Sequence, residues 1–188
     1  MKKILALLMA LTLLVLCFCG SAAFAADDAA AEDAEETEEE EEEEEKPYGP
    51  LSFTYNEVSF GILDEAEPVM EALGEADDLF VSASCAYQGD DYIYYYDGLE
   101  LTTNEIDGVF CITGIVLADD TIKTPQGLTI GMDIEEALTL MDEIDDEDLT
   151  MEENRGVYSF QYGPALLMVK ADANGEITAI QYSAVPED

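Results

Sequence analysis

The same order of signals occurs twice between residues 58 and 136, and it constrains the fold more than any other feature of the chain. In the first copy Val58-Ser59-Phe60-Gly61 leads to Asp64-Glu65-Ala66-Glu67. In the second, Leu128-Thr129-Ile130-Gly131 leads to Asp133-Ile134-Glu135-Glu136. Each copy is a short extended segment, a glycine and then Asp-x-x-Glu. An Asp can accept from the free N–H groups of a first helical turn, and a Glu three residues on can reach back, as in a capping box. The pattern predicts helices beginning at about Glu65 and Ile134. Val69, Met70 and Leu73 give the first an apolar stripe, and Ala137, Leu138 and Met141 give the second one. Pro68 falls in the first turn, where a missing N–H costs little, and Gly74 is a C-terminal stop.

Runs of strand signals follow each helix. Asp91 to Tyr96 is β-rich, Asp97-Gly98 is a hairpin turn, Leu99 to Thr103 follows, and Asp107-Gly108 leads into Val109 to Leu117. The second copy runs Val157 to Tyr162, Gly163-Pro164, Ala165 to Lys170, Asn174-Gly175 and Glu176 to Tyr182. The expected fold class is therefore α+β: two tandem units, residues 51–118 and 119–188, each a helix packed on an antiparallel β-meander. Alternation places Tyr92, Tyr94 and Tyr96 on one face, and likewise Tyr158, Phe160 and Tyr162, as aromatics packed beneath the helices. The opposite face carries Ile93, Tyr95, Glu100, Thr102, Ser159 and Gln161. A rigid tyrosine among small polar groups is a suitable anchor for a protein partner, so these six form the candidate partner-binding surface. The bland alternative is that Tyr95 is an ordinary strand residue.

The repeated glycine-led helix start, the Tyr-x-Tyr hairpin, Thr124-Pro125-Gln126-Gly127-Leu128-Thr129-Ile130-Gly131 and Ser84-Cys85-Ala86-Tyr87-Gln88-Gly89 together resemble the β-lactamase-inhibitory-protein-like family of secreted proteins and lipoproteins. The resemblance spans about Leu51 to Tyr182. It implies a tandem helix-plus-sheet repeat whose sheets form a concave face. It carries no enzyme-inhibiting loop onto particular residues here, so inhibition is not expected from it.

The N-terminus bears on location. Lys2 and Lys3, the apolar run Ile4 to Phe18 and Ala23-Phe24-Ala25 read as a cleavable export signal over residues 1–25, with Ala26 as the mature N-terminus. The apolar run is short for a bilayer span. Leu16 before Cys17 and Phe18 before Cys19 are not the small residue a lipid-attachment site prefers. Residues 26–50 form an acidic linker, with eight glutamates unbroken from Glu38 to Glu45. Such a segment repels itself and has nothing apolar to bury, so it reads as a disordered spacer. Fourteen of the 45 acidic residues lie between Asp27 and Glu45, and the other 31 lie from Pro47 onward, against only Lys123, Arg155 and Lys170. That balance excludes nucleic acid and anionic membrane surfaces as direct partners and is compatible with an extracellular protein bearing a basic surface, or with metal ions.

Catalytic chemistry has little to work with. The chain has no histidine, which removes Ser-His-Asp and Cys-His nucleophile activation and histidine-bound zinc. It has no tryptophan for stacking on sugars and no phosphate-cradling glycine loop. Cys85 and Cys111 survive signal cleavage. Their even count invites a disulfide in an exported chain, and burial as free thiols is the alternative. The acidic run Asp142, Glu143, Asp145, Asp146, Glu147 and Asp148 lacks the alternation and the central glycine of a calcium loop. Asp172-Ala173-Asn174-Gly175 reads as a hairpin turn. No cofactor, metal site or catalytic residue is expected. The sequence thus points to an exported, non-catalytic protein-binding module on an acidic linker, the alternative being an acidic calcium-binding protein of the cell surface.

Overall fold

The computed structural model describes residues 48–185. The export signal, the linker up to residue 47 and the last three residues lie outside them. The folded part includes the final residues assigned to the linker. Tyr48 is buried, and Gly49–Leu51 forms a 3-10 turn that sinks Leu51 into the core.

Two short strands come first, β1 (Phe53–Tyr55) and β2 (Val58–Phe60), in a separate two-stranded sheet. Helix α1 (Ala66–Leu73) leads to β3 (Asp78–Ala83), β4 (Asp90–Tyr96), β5 (Leu99–Ile106) and β6 (Val109–Leu117). Helix α2 (Ile134–Asp142) leads to β7 (Thr150–Asn154), β8 (Val157–Tyr162), β9 (Ala165–Ala171) and β10 (Ile177–Ala184). All eight later strands belong to one antiparallel sheet of order β3-β4-β5-β6-β10-β9-β8-β7. This corrects the expectation of two tandem helix-on-meander units. The molecule is mostly β, with two helices among the described residues and a continuous eight-stranded sheet.

The reason lies at the seam. A meander that ends in β6 or β10 presents a row of unpaired N–H and C=O groups, and an uncovered edge is a liability. Joining β6 to β10 through Val116↔Gln181, Ile115↔Tyr182 and Gly114↔Ser183 satisfies both edges at once. It also fuses two small apolar faces into one core. Leu101, Ile115, Tyr182, Leu167 and Phe160 occupy successive strands in register and are all buried. Helices of eight and nine residues could not cover two separate sheets. The β1–β2 hairpin helps to close this core, for Phe53 packs edge-to-face on Phe60 and on Tyr182, each at 5.6 Å between ring centres.

The helix starts differ from one another. Asp133 caps α2, its carboxylate accepting from the Glu135 N–H at 2.8 Å. Asp64 does not cap α1. It accepts from the Gly61 N–H and the Tyr48 hydroxyl, both at 3.0 Å, and so fastens the loop rather than the helix. Leu128-Thr129-Ile130, expected to be extended, joins no strand: it follows the turn at Pro125-Gln126, the Leu128 N–H donates to Thr124 Oγ1 at 3.1 Å, and Leu128 is fully buried. Gln126, in the same loop, accepts from the Tyr182 hydroxyl and donates to the Pro50 carbonyl, tying the loop to the core.

Candidate functional site

Strand alternation and the continuous register bring the six sequence-assigned residues onto one face. Tyr95 pairs with Glu100, and that row continues through Val116, Gln181 and Met168 to Ser159. Ile93 pairs with Thr102, and its row continues through Gly114, Ser183 and Leu166 to Gln161. The two groups are four strands apart, about 20 Å at ordinary strand spacing. They belong to one surface and not to one pocket.

The residues between them were missed, although the same alternation in β6, β9 and β10 marks them. What concealed them was the seam, because the two meanders had no assigned order. Gly114 marks a close approach on this face: a Cβ there would sit 3.2 Å from the Thr102 Cβ.

Among the described residues no helix covers this face. Of the twelve residues in the two rows, only Gly114 is buried. Gln161 is exposed and the rest are half-buried. Both helices contribute their apolar residues to the core on the other face. In those two rows over the six central strands, Glu100 is the one charged side chain. Asp78 and Glu152 extend the Tyr95 row onto the two edge strands.

On the helix side, Tyr92, Tyr94 and Tyr96 are not sealed beneath α1, as the sequence reading had them. They are half-buried and line an open groove of about 1000 Å³ beside that helix. Phe160 is buried, but Tyr158 and Tyr162 are only half so. The physical cause is reach: the closest packing of α1 is against β2 and β6 rather than β3 and β4.

Among the described residues no three His, Cys, Asp or Glu side chains converge where they could hold a metal ion. In the acidic run, Asp146 is occupied locally, accepting from the Asp148 N–H at 3.0 Å. Asp172 holds its own hairpin turn, accepting from the N–H groups of Glu176 and Asn174. Those bonds hold its carboxyl below the usual range, the Glu176 N–H contributing most.

Cys85 and Cys111 are both free thiols. Cys85 is exposed. Cys111 is half-buried, and burial, then the Glu65 and Asp64 carboxylates, push its thiol pKa up. Less thiolate and less access slow alkylation. Iodoacetamide at pH 8 should therefore label Cys85 well before Cys111, with the Cys111 rate still rising at higher pH. Equal rates by mass spectrometry would contradict this arrangement, and absence of labelling at both would reveal a disulfide.

No family model matches the chain, and no curated protein matches it. Among solved structures, a cysteine-rich secretory protein from Staphylococcus aureus subsp. aureus Mu50 is 10% identical with a TM-score of 0.41. An extracellular protein containing a SCP domain from Bacillus anthracis str. Ames is 11% identical with a TM-score of 0.44. Each likeness covers 65% of this chain but only 43% and 44% of those chains, so the chain spans less than half of their length. At these scores the likeness carries no inference about function.

Proposed function

We propose that this is an exported, non-catalytic protein-binding module whose partner docks on the uncovered face of the eight-stranded sheet. One observation carries the reading: over the six central strands, the central two rows of that face hold a single charge, Glu100, in a chain with a formal net charge of −39. Solvated protein surface is normally rich in charge, and depletion of charge at the centre of a patch is the mark of an interface core. Tyr95, Ile93, Leu166 and Met168 supply apolar area, and Thr102, Ser159, Ser183 and Gln161 supply hydrogen-bonding groups. The surrounding negative field would speed encounter with a basic partner and weaken in salt. Export rests on the N-terminal signal, and the resemblance to a family of secreted proteins and lipoproteins points the same way.

A photo-crosslinking residue at Tyr95 tests this. It should capture a partner from the protein's own extracellular medium, whereas the same residue at Glu136, on α2, should not. With that partner in hand, Tyr95→Ala should weaken binding by about 1–2 kcal/mol while leaving the circular dichroism unchanged. Capture from both positions alike, or undiminished affinity in the alanine variant, would dismiss this face.

A further inference from the structure

We infer that the groove between α1 and the first strands of the sheet is a second docking site. Its occupant is a polypeptide segment in which apolar side chains alternate with lysine or arginine. The inference rests on the protein-binding reading above but concerns the opposite face of the sheet. The floor of the groove is apolar: Met70, Tyr92, Tyr94, Leu79, Val109 and Phe110 line it. Leu79 is 47% exposed, and Val109 and Phe110 are 43% exposed each, which is unusual for large apolar side chains grouped in one place. At about 1000 Å³ the space is at the upper end for a ligand pocket and admits several side chains.

The rim fixes the sign of the occupant. Glu67, Glu71, Glu75 and Asp78 all border the groove, and none of Lys123, Arg155 or Lys170 does. Glu67 and Glu71 stand one turn apart on α1, a spacing at which like charges repel and destabilise the helix. No basic side chain of the groove lining offsets that repulsion, and a cationic segment would. A second copy of this acidic chain would worsen it.

The test uses the full chain and a dansyl-labelled twelve-residue peptide of alternating leucine and lysine. Saturable binding that weakens in salt is expected. The double variant Glu67→Gln/Glu71→Gln should lose at least about fivefold in affinity, and Phe110→Ala should lose a similar factor. The thermal midpoint of the glutamine variant should stay level or rise, because a repulsion has been removed. Asp145→Asn/Asp148→Asn removes the same charge from a distant acidic run and should leave affinity unchanged. Equal losses in the two double variants would reduce the binding to general attraction and overturn the proposal. Loss in Tyr95→Ala but not in the groove variants would overturn it while supporting the uncovered face. Sedimentation showing a dimer that Phe110→Ala dissociates would overturn it in favour of a second copy.

Discussion

Replacing Phe53 with alanine is expected to lower the unfolding free energy by about 3–5 kcal/mol. The ring is fully buried and touches two other rings edge-to-face, Phe60 and Tyr182. Its removal deletes apolar contact and leaves a cavity where β1, β2 and β10 meet, and none of these strands can collapse into it without losing its own pairing. A domain of this size is stable by only about 5–15 kcal/mol, so the loss is a large fraction of the total. Urea unfolding followed by circular dichroism would measure it as a drop in midpoint with little change in slope. A loss below about 1 kcal/mol would mean that the hairpin is an appendage and not part of the core.

Gly61→Ala should be nearly as damaging although it adds one methyl group. A Cβ at that position would lie 2.3 Å from the Tyr48 Cδ1, and Tyr48 is only 5% exposed. The ring cannot swing away freely, because its hydroxyl donates to Asp64, which also holds the Gly61 N–H. Overpacking plus a weakened bond to a carboxylate amounts to about 2–4 kcal/mol. The cause can be isolated. Tyr48→Ala has a cost of its own, but in that background Gly61→Ala should cost much less, since the clash is gone. Equal costs in both backgrounds would place the damage elsewhere.

Much of the local structure was legible in the sequence, for identifiable reasons. Asp107-Gly108 sits at a turn where both residues have positive φ, 53° and 87°, a conformation that Gly and Asp tolerate better than most residues. Gly74 at φ 83° ends α1 as expected. The alternation in β4, β5 and β8 placed all six candidate residues on a single face. Edge strands were less legible. β3 and β7 are exposed along nearly their whole length, so they carry no alternation to detect. The bulge opposite Thr102 and Thr103 was also hidden. Thr113 is the extra residue there, and its hydroxyl reaches Asn104, an interaction that no spacing announces. The groove escaped notice because three alternating tyrosines look the same whether a helix covers them fully or only in part. Above all, pairing of β6 with β10 depends on which edges are left open once both meanders exist, and that is a property of the assembled chain.

The seam also governs the order of folding. Each of its pairs joins residues more than sixty positions apart, Val116 with Gln181 at the nearest. Hairpins such as β4–β5 close across two residues, and their loops cost little entropy. The β6–β10 contact must wait until nearly the whole second meander has been delivered, since β10 is the last strand. Non-local pairings of this kind slow folding, and the β6 edge stands open during the delay. If the chain is exported as proposed, unfolded and N-terminus first, the delay runs until its final strand has emerged.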